Sequence, residues 1–430
     1  MEKDFKNKKI GIWGFGVVGK SALSFFQSKG ANISVFDKRE LDPFELSLLR
    51  NHKVQLIQPD YLTQFLEIND YIFPSPGIDL APFIDFQDKW LHEVDLFFQY
   101  CTQPVIAVTG SVGKTTTVDV ITYLLNQLGK KAIACGNIGT GMFDSLPDQN
   151  LYDYIVLELS SFQLEHTTRC APHIAVITNI FPNHLDRHKT IDEYCSAKGN
   201  IGTGQQTTDV FIAPLEVADV FLPMETHQIK KWILPSSSSN LDKIDALSDA
   251  SNSKIRNREL IQAVIESLNL PIETIDTLLT HYQPLEHRME YVDTINGITF
   301  YNDSKATIME STLSALNIAG RNTILLLGGL SKGIDRSVYI PHLISKTKKI
   351  ICFGVEAELL AQWCRQNNLN TLIAKTLEEA FELSIQHATQ EDTILLSPGG
   401  SSYDLFKDYQ QSGTLFKKLT HSYKATCILP

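Results

Sequence analysis

The stretch Pro104-Val105-Ile106-Ala107-Val108-Thr109-Gly110-Ser111-Val112-Gly113-Lys114-Thr115-Thr116-Thr117 decides the reading of the fold. An apolar run of strand character ends at Thr109, a glycine-bracketed turn follows, and a helical pattern runs from Val118 to Leu128. Glycine lets the backbone curl so that successive N–H groups and a helix N-terminus face an anion. Gly110, Ser111, Val112, Gly113 and Thr116 would line such a turn. Lys114 would bring charge to the terminal phosphates, and the Thr115 hydroxyl would reach a magnesium ion. A general phosphate loop carries a glycine five residues before Gly113, where this chain has Val108, so the turn is a shorter variant. Chance glycines in a strand–helix turn are the alternative, and the Lys-Thr pair weighs against them. The stretch reads as an ATP site.

Around it lie 430 residues, too many for one core. A net charge of −11 argues against a nucleic-acid or anionic-membrane partner, both of which need basic surface. The seven cysteines form no C-x-x-C pair, which favours reduced core thiols over disulfides or zinc. Met1 to Lys9 is polar, and no apolar run approaches the roughly 20 residues of a membrane helix. A cytoplasmic protein is expected.

Upstream, Lys9–Trp13 reads as a strand entering Gly14-Phe15-Gly16-Val17-Val18-Gly19, with a helical run over Lys20–Ser28 and a second strand, Asn32–Phe36, ending in Asp37. This is a G-x-G-x-x-G pattern with an acid about 20 positions on, a mark of a dinucleotide fold that fits any pyrophosphate-linked nucleotide. A further strand, Tyr71–Phe73, runs into Pro74-Ser75-Pro76-Gly77 at the carboxyl edge, which an ordinary turn would also explain. Taken alone, this segment would suggest an NAD-dependent dehydrogenase.

Downstream, strands over 131–135, 154–157 and 174–178 end in Gly136-Asn137, in Glu158 with Ser160-Ser161-Phe162-Gln163, and in Asn179 to His188. Glu158 is the natural magnesium partner of Thr115. His184 and His188, four apart, fit a zinc-binding helix, a surface loop or a catalytic loop. Lys198 by spacing alone is a solvated helix lysine. Residues 235–254, rich in Ser and Asp, read as an irregular crossing before a helix over 259–268. Strand–helix alternation then resumes, with strands over 298–301, 323–327, 349–353 and 393–396. Their ends carry Asn302-Asp303-Ser304-Lys305-Ala306-Thr307, Gly328-Gly329-Leu330-Ser331-Lys332-Gly333, Gly354 and Ser397 to Asp404. Lys305, Thr307, Lys332 and Ser402 together could hold a small carboxylate-rich substrate.

In order along the chain, these stretches resemble the Mur ligase family, the ATP-dependent amino-acid-adding enzymes of peptidoglycan synthesis. Thr109–Thr116 is similar to the family's phosphate loop, including the missing early glycine, and Asn183-His184-Leu185-Asp186-Arg187 and His287-Arg288 to two further motifs. Glu158–Glu165, Asn302–Thr307 and Leu396–Asp404 are similar to the branch that adds D-glutamate to UDP-N-acetylmuramoyl-L-alanine.

The resemblance implies an α/β chain of three domains. Residues 1–94 would be Rossmann-like and hold the uridine nucleotide, 95–284 would be a P-loop-type ATPase sheet, and 285–430 would be a Rossmann-like amino-acid domain. It implies magnesium at Thr115, Glu158, His184 and Lys198, the last as a carbamylated lysine. It implies substrate contacts at Gly14, Phe15, Gly16, Val17, Asp37, Lys38, Ser75, Pro76, Gly77, Asn137, Ser160 and Gln163, and ATP contacts at Asn257, Arg288 and Asp303. D-glutamate carboxylates would meet Thr307, Lys332, Ser402 and Tyr409, Lys305 would be a further substrate contact, Lys114, His184, Lys198 and Lys332 would be catalytic, and a monomer is expected. Val112, Ile308 and Lys38 depart from the family's pattern. A sibling ligase, a folylpolyglutamate synthetase or a lapsed nucleotide-binding homologue are the other readings.

Overall fold

Three runs of alternating strand and helix build three sheets, because parallel strands need crossover helices and bury both faces beneath them. The computed structural model describes residues 4–214, 217, 230–234, 250–331 and 334–428. The first sheet joins β1 (Lys9–Trp13), β2 (Asn32–Phe36), β3 (Gln55–Ile57) and β4 (Tyr71–Pro74) in the parallel order β3-β2-β1-β4. The second joins β5 (Val105–Thr109), β6 (Ala132–Gly136), β7 (Tyr154–Glu158), β8 (Ile174–Ile177), β9 (Val210–Pro214) and β10 (Lys230–Leu234) as β10-β9-β8-β5-β7-β6, again parallel.

The third joins β11 (Glu290–Ile295), β12 (Ile298–Asn302), β13 (Thr323–Gly328), β14 (Thr347–Phe353), β15 (Thr371–Ala374) and β16 (Thr393–Leu396) as β11-β12-β16-β13-β14-β15. The α/β class read from the sequence is therefore the class observed. Here β11 runs antiparallel, a strand that the sequence reading missed. It folds back on β12 through Asn296-Gly297, both at positive φ (51° and 78°), the turn residues whose twist matches a two-residue hairpin. Its polar residues Glu290, Asp293 and Thr294 hid it, because an edge strand buries little.

Two helices begin earlier than their apolar periodicity suggests. The phosphate-loop helix spans Lys114–Gln127 and the later one Ala250–Ser267, since first turns carry polar residues that periodicity does not register. The irregular crossing expected over 235–254 lies outside the described residues as far as 249.

Every residue of β5 is buried, and its two faces serve different cores. Val105 and Ala107 join a cluster that continues into Ile10, Ile12, Phe26 and Phe73 of the first unit. Ile106 and Val108 pack against Val118, Ile121 and Leu125 of the following helix. Phe25 stacks on Phe143 at 4.3 Å and 12° across the first two units. Burying each such ring contributes about 1.5–3 kcal/mol, so these two sheets are held as neighbours by apolar area. The carboxyl ends of β5, β7, β8, β12 and β16 carry Thr109, Glu158, Thr178, Asn302 and Ser397, the edge where open parallel sheets bind ligands.

Candidate active site

The phosphate turn depends on Gly110 (φ 143°) and Gly113 (φ 85°). A Cβ on Gly110 would stand 2.0 Å from Thr178 Oγ1. The segment after β8 braces the turn. Ser111 N donates to Asn179 O (3.0 Å), and Ser111 Oγ accepts from Phe181 N (2.8 Å) and lies 3.0 Å from the Tyr194 hydroxyl. Val112 N donates to Asn179 Oδ1 (2.9 Å), while Val112 O accepts from Asn179 Nδ2 (3.0 Å) and Thr178 Oγ1 (2.7 Å). The departure at Val112 thus leaves the backbone there held by Asn179, a residue whose role the sequence did not disclose.

Lys114 Nζ donates to Gly110 O (2.8 Å) and Ser111 O (3.2 Å), and Lys198 Nζ donates to the same Gly110 O at 2.8 Å. Burial pushes the pKa of Lys114 down. Lys198 is 1% exposed; burial, with the Lys114 charge beside it, holds it well below the ordinary lysine range. It is a buried amine, not the solvated helix lysine that spacing suggested.

Glu158 is 2% exposed; its Oε1 accepts from Asn137 Nδ2 (3.2 Å) and its Oε2 has no partner among the described residues. A buried carboxylate oxygen left unpaired is costly and suits a hard cation. His184, at φ 55°, opens the short helix Leu185–His188. His188 is buried, with Nε2 2.9 Å from Ser161 Oγ and its ring stacked on Phe162 (5.5 Å, 13°), whereas the His184 ring meets Phe162 edge-on (4.9 Å, 66°). His184 lines two cavities that His188 does not, and the His188 nitrogen is engaged by Ser161, which removes the zinc-helix reading.

Three cavities meet at the loop. One of about 530 Å³ is lined from the second sheet by Ser111 to Thr115, Asn137, Glu158 and His184, and from the third by Arg288, Lys305, Thr307, Ser402 and Tyr409. One of about 410 Å³ shares Val112, Gly113, Arg288 and Lys305 with it and adds Thr116, Tyr282 and Asp303. One of about 370 Å³ shares Lys114, Asn137 and His184 and adds Ser160, Gln163, Lys198 and, from the first unit, Val18 and Pro76.

Arg288 Nε is buried without a partner among the described residues, a donor that a ligand oxygen could satisfy. Burial pushes the Asp303 carboxyl up to about 7, although Ser397 Oγ (2.8 Å) and Met289 N (3.1 Å) donate to it. Burial, then the Arg288 charge, lowers Lys305 to about 8, and its Nζ stands 5.0 Å from the centre of the Tyr409 ring. Lys332 and the side chain of Asn257 lie outside the described residues.

In the first unit Asp37 accepts from Phe15 N (2.7 Å) and Arg39 N (2.9 Å), so its carboxylate ties the glycine loop to β2. Arg39 grips Glu45 with two bonds of 2.8 Å, and Lys20 meets the same carboxylate at 2.8 Å; the Arg39 bond, the largest influence, holds Glu45 down to about 2. The Phe15 side chain is buried, its N–H is given to Asp37 and its carbonyl accepts from Arg39 (2.8 Å), whereas Gly16 is open and Val17 and Lys38 are exposed. Ser75 Oγ donates to Gly14 O (3.1 Å), and nothing stands within 4 Å of the Cβ position of Gly77.

Two arginines escaped the sequence reading as organisers. Arg187 donates to Ile78 O (2.9 Å) and Glu165 (3.0 Å), clamping the first unit to the second. Arg336, 3% exposed, donates to Gly328 O (2.8 Å), Gly329 O (2.9 Å) and Glu356, whose other oxygen accepts from Ser331 N (3.0 Å). Arg336 also reaches Gly399, 63 residues away, a distance no local pattern reveals.

Residues 8–94 match the Mur ligase MurD-like N-terminal domain, 108–273 the Mur ligase middle domain, and 287–400 the Mur ligase glutamate ligase domain. The chain is 30% identical over 451 residues to the UDP-N-acetylmuramoylalanine–D-glutamate ligase of Clostridium kluyveri, covering 97% of this chain and 98% of that one. The chain belongs to the Mur ligase family. The enzyme of the same name from Acetivibrio thermocellus is also 30% identical, over 460 residues, with 99% and 98% covered. Among solved Mur ligases, the UDP-N-acetylmuramate-alanine ligase of Thermotoga maritima superposes with a TM-score of 0.59 at 15% identity, covering 97% of this chain and all of that one. A MurF ligase of the same organism, in complex with ADP, superposes with a TM-score of 0.58 at 13% identity, with 98% and 96% covered. These two carry the family's fold.

Proposed function

We propose that this Mur ligase joins D-glutamate to UDP-N-acetylmuramoyl-L-alanine at the expense of ATP, in peptidoglycan precursor synthesis. The observation that carries the reading is the 530 Å³ cavity, walled on one side by the phosphate loop and on the other by Lys305, Thr307, Ser402 and Tyr409. The names of the curated relatives support the choice of amino acid. In this reading residues 1–94 hold the uridine nucleotide, 95–284 hold ATP, and 285–430 receive the amino acid.

The γ-phosphoryl group passes from ATP to the alanine carboxylate, releasing ADP and leaving an acyl phosphate. The D-glutamate amine then attacks the acyl carbon, loses a proton and expels inorganic phosphate. Such transfer needs positioning and charge neutralisation more than covalent catalysis. Lys114 and the turn N–H groups hold the phosphates, and Arg288 supplies a buried guanidinium beside them. Lys305 and Lys332 neutralise the glutamate carboxylates, and Thr307 and Ser402 donate hydrogen bonds to them. Asn137, Ser160 and Gln163 hold the acceptor chain of the nucleotide.

Magnesium fits the donors present, because Glu158 Oε2 is buried and unpaired beside Thr115 in one cavity. Thr115 and Glu158 would hold one ion and His184 with Lys198 a second, and the ions would neutralise charge on the phosphoryl oxygens. An ammonium at Lys198 would repel a cation. Its burial favours the neutral amine, which adds carbon dioxide with loss of a proton to give a carbamate, an anionic ligand.

Phosphate release tests the reading, with L-alanine, D-glutamate, L-lysine and diaminopimelate each offered with its matched nucleotide precursor. Release that requires D-glutamate with the alanyl nucleotide is expected, and preference for another pair would overturn it. Intact mass in bicarbonate should show one added carbon dioxide that the Lys198→Ala variant lacks.

A further inference from the structure

One residue grips the phosphate turn from behind. Asn179 stands just after β8 and lines none of the three cavities. Three consecutive peptide units of the turn meet it. The Gly110–Ser111 unit gives its N–H to Asn179 O (3.0 Å), while its carbonyl accepts from Lys114 Nζ and Lys198 Nζ (2.8 Å each). The Ser111–Val112 unit gives its N–H to Asn179 Oδ1 (2.9 Å), while its carbonyl accepts from Lys114 Nζ (3.2 Å). The Val112–Gly113 unit is reversed, for its carbonyl accepts from Asn179 Nδ2 (3.0 Å) and Thr178 Oγ1 (2.7 Å).

The Asn179 amide is fixed without any titrating group. A backbone N–H only donates and a carbonyl only accepts, so Oδ1 faces Val112 N and Nδ2 faces Val112 O. The peptides are trans, and a trans unit points its C=O and N–H in opposite directions. The N–H groups of Ser111 and Val112 are therefore spent on the wall behind the turn. Holding the Val112 carbonyl on that same wall sends the Gly113 N–H forward, toward the cavities of about 530 and 410 Å³ that Gly113 lines. It also keeps a carbonyl oxygen from facing an anion that it would repel.

We propose that Asn179 is a positioning residue for ATP. By reversing the peptide between Val112 and Gly113, it makes Gly113 the first N–H of the turn to meet the phosphates, and it excludes Ser111 and Val112 as donors. The inference rests on the ligase reading only in taking the anion to be the phosphate chain of ATP.

The test is calorimetric binding of magnesium-ADP and, separately, of UDP-N-acetylmuramoyl-L-alanine to wild type, Asn179→Ala and Asn179→Asp, alongside KM and kcat. Asn179→Ala frees the peptide, and its affinity for magnesium-ADP should fall about tenfold, with the ATP KM rising as much. Asn179→Asp keeps an acceptor for Val112 N–H but sets a carboxylate oxygen against Val112 O, so it should lose at least as much. Both variants should bind the alanyl nucleotide, and show a D-glutamate KM, within about twofold of wild type. Asn179→Ala that binds magnesium-ADP as wild type does, or that loses both ligands equally, would overturn the positioning role while leaving the ligase reading intact. Amide hydrogen exchange by NMR tests the orientation in wild type itself, whether or not the variants fold. Val112 N–H should exchange slowly without nucleotide, and magnesium-ADP should add protection at Gly113; protection gained at Val112 instead would overturn the proposal. Failure of wild type to bind magnesium-ADP would overturn the ATP reading.

Discussion

Gly413 lies in the helix Tyr409–Ile428, where general propensity says that alanine should be better by about 0.5–1 kcal/mol. The packing says the reverse. A Cβ there would stand 2.2 Å from His287 Nδ1, 2.4 Å from Ser304 Oγ and 2.9 Å from Asn302 Nδ2, all too close for contact. The helix must shift outward or the pair Asn302–His287, bonded at 2.9 Å, must open. Overpacking of this kind costs about 1–3 kcal/mol, and a buried amide left short of a partner costs about 1–3 more. Against the propensity gain, Gly413→Ala should lose about 1–5 kcal/mol in urea unfolding followed by circular dichroism. Because His287 adjoins Arg288, which borders two of the cavities, the ATP KM should rise roughly fivefold, equivalent to about 1 kcal/mol. A variant as stable as wild type, or more so, would refute the account of how this helix closes on the site.

Three further outcomes are expected. Glu158→Gln removes the buried unpaired carboxylate oxygen, so kcat should fall at least about 100-fold in phosphate release across a magnesium titration, and near-normal turnover at saturating magnesium would sink the assignment. Arg336→Ala abandons Glu356 and two glycine carbonyls in a buried place, so unfolding free energy should drop by about 2–4 kcal/mol, with the D-glutamate KM rising at least tenfold. Glu93 has a folded pKa of about 7 against an ordinary 4.5, so the native state holds the extra proton between those values and wild-type stability falls as pH rises through that window. Glu93→Gln should therefore be more stable than wild type at pH 8 by up to about 3 kcal/mol, and the gain should vanish near pH 4 in thermal or urea unfolding.

Much of the fold was legible because parallel strands buried on both faces read as short apolar runs, as in Val105–Val108 and Ile324–Leu327. The antiparallel β11 was not, since an edge strand carries polar residues and its signal lay in the Asn296-Gly297 turn. Most of the candidate site lay in sequence motifs: Lys114, Glu158 and His184 follow apolar stems at strand ends. Asn179 and Arg187 lie in stretches that the sequence singled out and Arg336 does not, but the carbonyls they hold are 67, 109 and 63 residues away, a pairing that no local pattern discloses.

The sequence alone determined that a tight glycine turn leading into a lysine follows β5, because glycine readily takes the positive φ that Gly110 and Gly113 adopt. Tertiary structure alone decided the protonation and polarity of the groups around it. The Lys198 pKa is held down and Glu158 keeps an unpaired acceptor among the described residues only because other segments exclude water and face them with chosen partners. Charge and hydrogen-bond direction depend on what surrounds a side chain, and local sequence does not carry that information.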